Sequence, residues 1–512
     1  MIIKRTKNAK RNIKVGILRT VIDTVLPFLC RTAVIYVLGA EYLGLSSMFN
    51  ALLQMLNLTE LGFGSAIVYA MYKPIAEDDD SQICALLNLF RRIYRIVGIV
   101  ILCIGVCLLP FIRYFVKGDT PAHINIHYVY LVYLINTTLS YWALAYKSVI
   151  PLAFQRGDLV SIGYAVSDLF QIAVQVAVLI LTRNYYYFII VLPFATLLHN
   201  LIVSFVVDRY YPQYQCEGTV SAGCIAEIKK RVSGLLVQNI CYTTRNSMDS
   251  ICISAFLGLA LTAMYNNYFC IIYALGKFCG VIGSAITAGI GNSIAIDGVE
   301  HNYRILQKLD FLYMWIAGWS GVCLLCLFQP FMELWMGREL LLPFGVVVCF
   351  VLYYYILRMG EMCSVFNNAA GLWWENRIRA MTEAVINIVL NMILVHVWGI
   401  YGIIWGTLVP LFFVSQIYGS SIIFRFYFRN KKYGRYLLSH LKYFLTFVLA
   451  CAITLTACSA FKSDNIRVLI VRSILCIILP NLVFYIIYRR TDIYRESIQW
   501  LSDKLRSNND QD

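Results

Sequence analysis

Charge is scarce in this chain. Of its 512 residues only 14% are Asp, Glu, Lys or Arg and 60% are hydrophobic, whereas soluble domains carry about 25% charged residues. The polar coat of a soluble protein is missing, which leaves a membrane protein. Acid is scarcer than base, with 28 Asp+Glu against 43 Lys+Arg and a net charge of +15. Such an excess would suit nucleic acid if it lay on one soluble face. Here it falls in short loops between apolar segments, so nucleic acid is set aside as a partner and membrane topology is indicated. A glycine-rich phosphate loop or other nucleotide motif is also lacking, so ATP is not the direct energy source. The longest external segments expected, near 116–126 and 329–343, are short. A membrane glycosyltransferase, polymerase or ligase usually needs a substantial external loop with catalytic groups, so no enzyme activity and no cofactor are expected. The basic segment 1–14 leads into a long apolar stretch without a small-residue cleavage site, which reads as a retained first helix.

What the chain has in quantity is long hydrophobic runs. A bilayer core of about 30 Å takes roughly 20 apolar residues per helix. Fourteen such spans can be placed, among them 42–70, 127–149, 233–257, 259–290, 344–368 and 401–424. The fold class expected is all-α integral membrane, with two six-helix lobes at 15–207 and 233–424, a cytoplasmic linker at 208–232, two further spans within 441–488 and a tail at 489–512. Most of the Lys and Arg lie in segments such as "KRTKNAKRNIK", "EIKKR" and "RFYFRNKKYGR", and only Arg113, Lys117, Arg183, Arg338, Lys462 and Arg467 fall on the opposite side. That asymmetry predicts both termini in the cytoplasm.

The charges that remain sit at membrane depth, where each costs at least a few kcal/mol unless it faces a partner or water. The bases are Arg19, Arg31, Arg245, Lys277, Arg358 and Arg472, and the acids are Asp23, Glu60, Asp168, Asp249 and Glu361. Together they mark an aqueous cavity, ion pairing between helices being the alternative, while Arg472 near a span end is read as snorkelling. Arg19 and Asp23 are one turn apart, as are Arg245 and Asp249, so each pair shares a helix face. The seventeen cysteines lie mostly within spans, "CLLC" at 323–326 included, and read as small hydrophobes rather than zinc ligands or disulfides. "HINIH" at 123–127 lacks a third ligand nearby, so no metal site is expected.

A repeat is audible. "LG" at 38–39 and "GSAI" at 64–67 recur at 257–258 and 283–286 with one offset. In that register Glu60 falls within one turn of the position equivalent to Lys277, and the pair could close an inner gate, with Gly62, Gly64, Gly280, Gly283 and Ser284 permitting close helix approach. Because the seventh span starts on the same side as the first, the lobes would be parallel repeats.

The segment "LGAEYLGLSSMFNALLQMLNLTELGFGSAIVYAMYKPIAEDD" resembles the first half of polysaccharide repeat-unit flippases of the Wzx type. So does "RMGEMCSVFNNAAGLWWENRIRAMTEAVINIVLNMILVHVWGIYGIIWGTLVP", through Gly371, Arg377, Glu383, Asn387, Gly399, Gly402, Gly406 and Thr407. These flippases belong to the multidrug/oligosaccharidyl-lipid/polysaccharide (MOP) superfamily. The resemblance covers the first twelve spans. It implies translocation of an undecaprenyl-pyrophosphate-linked oligosaccharide between leaflets of the bacterial inner membrane for O-antigen, lipopolysaccharide or capsule, by alternating access through a cavity between two lobes. The expected partners are the lipid-linked oligosaccharide, the membrane and the polysaccharide polymerase machinery, with the chain a monomer. An anionic pyrophosphate suits the planar fork of arginine, which makes Arg31, Arg245 and Arg358 the phosphate candidates. Arg19, Asp23, Asp249 and Glu361 are then further cavity charges. Sugar contacts are expected from Tyr265, Asn266, Asn267 and Asn368, with Tyr268 and Asn367 beside them. Two alternatives stand: a multidrug or metabolite antiporter of the same superfamily, which would favour carboxylates and stop at twelve helices, and a lipid II flippase. A membrane polymerase or glycosyltransferase is a remote third.

Overall fold

A computed structural model describes residues 5–57, 62–118, 120–121, 124–429, 433–461 and 466–509, and among these there is no β-strand. The chain forms two compact units, 1–266 and 267–512. The first holds α1 (Arg5–Val37), α2 (Ala40–Leu56), α3 (Phe63–Ala76), α4 (Asp80–Leu108), α5 (Ile126–Trp142), α6 (Val149–Ala153), α7 (Gly157–Thr182), α8 (Tyr185–Tyr210) and α9 (Ala222–Phe256). The helix α10 (Leu259–Ile296) begins in the first unit and runs into the second. There follow α11 (Val299–Met336), α12 (Phe344–Met359), α13 (Glu361–Ala369), α14 (Trp373–Trp398), α15 (Ile400–Pro410), α16 (Gly419–Phe426), α17 (Tyr433–Ser459), α18 (Ile466–Tyr488) and α19 (Asp492–Asn509). A π-helical stretch, Leu411–Tyr418, joins α15 to α16.

Ten helical stretches among the described residues are long and apolar enough to cross a membrane. The other expected spans fall on α2–α3, α5, α9 and α10. The first and second of these contain 17-residue helices, and α9 and α10 run to 35 and 38 residues. The outer faces carry apolar side chains, as on α18, where Ile470, Ile474, Ile477 and Ile478 are exposed. Helices suit that setting because every backbone donor is satisfied within the segment. Where the chain enters a helix, a polar side chain takes over: Asp79, Asn125, Asn184 and Ser221 cap the starts of α4, α5, α8 and α9 by accepting backbone N–H groups. The Asn125 cap accounts for part of "HINIH", whose His123 lies outside the described residues.

The expected single span over 42–70 is two helices instead. Gly62 takes φ 123°, which no continuing helix allows, and α3 starts after it. Residues 58–61 lie outside the described residues, and with them Glu60 and its half of the gate. The span over 344–368 is likewise divided, α12 meeting α13 at Gly360. The "LG" echo has a physical counterpart. At both places the glycine adopts a left-handed φ, 111° at Gly39 and 106° at Gly258. The leucine and glycine N–H groups both donate to one carbonyl, that of Val34 in the first turn and of Ile253 in the second. The "GSAI" copies differ in setting, since the first opens α3 while the second lies inside the unbroken α10.

In the first unit α1, α7 and α8 pack in sequence, α8 also meets α5, and α2 lies against α9. The backbones come closest at Gly44, where any Cβ would collide with the Leu259 carbonyl. The second unit is organised around α11, which packs on α12, α17, α18 and α19. Pro480 shapes that packing. Lacking an N–H, it leaves the Cys476 carbonyl one turn back without its helical donor. Two side chains of α11 fill the vacancy: the Trp319 indole donates to that carbonyl at 3.1 Å and the Cys323 thiol at 3.7 Å. A turn further along, Trp315 donates to Asn481 at 2.6 Å.

Candidate functional site

Three clusters of charge occupy the helices. The first lies within unit one. Arg19 on α1 donates to Asp23 at 2.9 Å and to Asp168 on α7 at 3.1 Å. Its guanidinium lies over the Tyr164 ring, 4.6 Å from the centroid, and His199 on α8 stacks on Tyr164 at 3.7 Å. Tyr164 and Asp168 are one turn apart on α7, so a single face presents both ring and carboxylate to the arginine. The i,i+4 spacing announced Arg19 and Asp23. The remaining members come from helices far along the chain, where no spacing can announce them.

The second cluster joins α9 to the start of α10, again within unit one. Asp249 is buried and accepts the Tyr265 hydroxyl at 2.8 Å. Asn266 donates to Ser250 at 3.1 Å and to the Thr262 carbonyl at 2.9 Å. Two of the expected sugar contacts, Tyr265 and Asn266, thus bond to groups of their own hairpin. Arg245, one turn before Asp249, is buried with its guanidinium 5.3 Å from the Tyr242 ring.

The third cluster lies in unit two. Arg358, at the end of α12, donates to Glu361 at the start of α13 at 2.6 Å and approaches the Gly276 carbonyl at 3.5 Å. The two side chains are 13% and 17% exposed, so the pair is largely buried. Glycines on α10 make the room. A Cβ at Gly276 would lie 3.7 Å from the Arg358 guanidinium, and one at Gly283 would lie 3.0 Å from Glu361 Oε1 and 3.3 Å from the Tyr313 hydroxyl. Gly283 is the glycine of the second "GSAI". Its smallness serves the carboxylate.

The other expected residues are dispersed. Arg31 lies half-buried on α1, past Pro27. Lys277 sits over the Tyr273 ring at 5.0 Å. Asn267 is buried, Tyr268 donates to Gln329 at 2.7 Å, Asn367 donates to the Gly419 carbonyl at 3.3 Å and Asn368 is exposed. Of the "GLWWENRIRAM…GIIWGT" pattern, Asn387 donates to Thr407 at 2.8 Å and to the Gly406 carbonyl at 3.3 Å. Gly402 and Gly406 let α15 lie directly on α14, Gly399 turns between them at φ 56°, and Arg377 packs on Trp374. This pattern therefore builds a helical hairpin. Ionic groups that the sequence reading did not single out include Arg379, which donates to Glu383 at 2.8 Å and to Ser415 at 3.0 Å, buried Asp310, 3.6 Å from His440, and buried Asp158, paired with Arg11 and Arg156. Glu383 lies one turn from Arg379, a spacing the sequence itself shows, whereas Asp310 and His440 are distant in the chain and meet only where α11 packs on α17.

No family model matches the chain, and no curated protein does either. Solved structures do. The fold is similar to a lipid II flippase, MurJ, in an inward closed conformation, at a TM-score of 0.68 and 14% identity over 93% of this chain and 99% of that one. It is also similar to an inward-facing multidrug resistance MATE transporter of the MOP superfamily, at 0.61 and 14% identity over 79% and 96%. A mutant form of the Vibrio cholerae MATE transporter VcmN matches at 0.56 and 14% over 82% and 98%. These neighbours are transporters and flippases rather than enzymes. The chain is a multi-pass, all-α membrane protein with a MOP-like fold.

Proposed function

We propose that the chain is a flippase that carries an undecaprenyl-pyrophosphate-linked oligosaccharide repeat unit from the cytoplasmic to the periplasmic leaflet of a bacterial inner membrane, for O-antigen or capsule. The observation that supports this reading is the set of largely buried guanidinium groups on helices of both units, Arg19, Arg245 and Arg358. Each is placed by aromatic rings, carboxylates or a carbonyl of its own unit. Arginine's fork matches the oxygens of a phosphate in pairs, so these groups suit an anionic cargo that shares or replaces their carboxylate partners. The pyrophosphate would displace or share the Glu361 contact at Arg358, the carboxylate holding the guanidinium ready between cycles. The sugar chain, being strongly hydrated, would need a watered path, with the polyprenyl tail left in lipid.

A lipid II flippase is the second reading, favoured by one observation. The lipid II flippase structure spans 93% of this chain, whereas the MATE structures named above span 79% and 82%. Its cargo carries the same pyrophosphate-lipid chemistry, so cavity charge does not separate the two. Complementation does. Expression in a strain lacking its repeat-unit flippase should restore surface polysaccharide, and expression in a strain depleted of its lipid II flippase should leave growth unrescued. The reverse pair of results would select lipid II, and rescue of neither, with drug resistance gained instead, would overturn both.

A further inference from the structure

Outside the charged clusters, the second unit contains a group of thiols drawn from three helices. Cys326 on α11, Cys458 on α17 and Cys476 on α18 bring their sulfur atoms within 4.8 Å of one another, and the residues are 4%, 2% and 0% exposed. Three thiols can meet by chance in a helical bundle as small apolar fillers. Several details here point elsewhere. Zinc binds thiolate at about 2.3 Å, which sets neighbouring sulfurs about 4 Å apart. The three sulfurs, within 4.8 Å of one another, need only a small inward shift to reach it.

The backbone of the central ligand is fixed as well. Because Pro480 frees the Cys476 carbonyl, Trp319 and Cys323 of α11 hold it, so α18 cannot rotate Cys476 away from Cys326. Cys323 and Cys326 are three residues apart and share a helix face. Cys323 donates to the Cys476 carbonyl and lies beside the cluster.

Charge closes the account. Three thiolates around a divalent ion leave one negative charge, which an apolar interior would not accept alone. Arg472, one turn before Cys476 on α18, donates from Nη2 to the Phe461 carbonyl at 2.6 Å, three residues beyond Cys458. Its positive charge is thereby tethered beside the end of α17 that supplies Cys458, one turn from Cys476 on α18. A monovalent soft ion would leave one further negative charge uncompensated.

We infer that Cys326, Cys458 and Cys476 form a site for a thiophilic divalent cation of the zinc class, which pins α17 and α18 to α11. Uptake converts three thiols to thiolates, with three protons released for each ion bound and no change of oxidation state. The role is structural and independent of the cargo assigned above.

The test uses the full-length protein purified in detergent with a thiol reductant and stripped by chelator. Titration with Cd2+ should produce the ultraviolet sulfur-to-metal charge-transfer band, saturating at one ion per chain. Zn2+ should abolish the band by competition and raise the melting temperature of the wild-type protein, since a ligand of the native state stabilises it. Cys326→Ser, Cys458→Ser and Cys476→Ser should each lose the band, while Cys103→Ser and Cys107→Ser, on the exposed face of α4, should keep it. The wild-type titration needs no variant to fold. Absence of a saturating band in it, a band that survives in the triple serine variant, or a disulfide among the three cysteines in protein purified without reductant and carrying no metal would each overturn the site.

Discussion

Arg358 shows how much one side chain is asked to do. It stands between Glu361 and the Gly276 carbonyl and is largely shielded. Truncation to Ala would strand Glu361, a loss on the order of 3 kcal/mol when one partner of a buried pair is removed. Surface polysaccharide from cells expressing Arg358→Ala should fall to background. Arg358→Lys should restore part of it, because charge survives without the planar fork. Equal export by wild type and the Ala variant, at matched protein levels, would remove Arg358 from the mechanism. Gly283 answers a different question. A methyl there would press on Glu361 and the Tyr313 hydroxyl, and overpacking of that kind costs about 1–3 kcal/mol. Gly283→Ala should lower the melting temperature by several degrees, whereas Gly289→Ala, with open space around its Cβ inside α10, should hold or raise it. At this scale the sequence was half legible. The turn spacing of Arg19 and Asp23 could be read directly, but Asp168, 149 residues from Arg19, joins only through the packing of α1 on α7.

Helices were the most legible feature and their interruptions the least. Hydropathy over some twenty residues finds a span regardless of detail, while a break depends on one backbone angle, as at Gly62. Caps lie between these extremes, since an Asp before an apolar run is a readable start. Asp79 receives the Gln82 N–H and the Ser81 hydroxyl, which hold its carboxyl below the ordinary aspartate value. A folded pKa below the unfolded one means the cap stabilises α4 above the unfolded value of about 3.9 and loses that effect as pH falls through the lowered folded value. The difference in melting temperature between wild type and Asp79→Ala should therefore be full at neutral pH and shrink only in strong acid. A constant difference down to the lowest pH tolerated would show the effect to be steric.

For the molecule as a whole, the membrane class and helical architecture followed from the shortage of charge and the long apolar runs. The tertiary role of the last eighty residues did not. Composition marks two more spans and a tail, whereas the structure makes α17, α18 and α19 the covering of α11. Lys308 of α11 even reaches Glu496 of α19 at 3.3 Å. A chain ended after Arg429 should therefore lose more than two spans. It should elute as aggregate on size exclusion in mild detergent, where the full chain elutes as a single peak, because Phe311, Trp315 and Trp319 lose their aromatic and polar partners on α17–α19. A monodisperse truncated protein would show that α11 is self-sufficient.

The bond from Cys323 to the Cys476 carbonyl spans 153 residues of chain, and synthesis proceeds at about 5–20 residues per second, so roughly 8–30 s separate the emergence of its two ends from the ribosome. Throughout that interval α11 has been inserted with its indoles and thiols facing lipid or an insertion factor. The second unit can close only after α18 has emerged. Slow translation of the final segment, or an occupied insertion site, would thus lengthen the exposure of a half-built bundle to the membrane proteases that survey it.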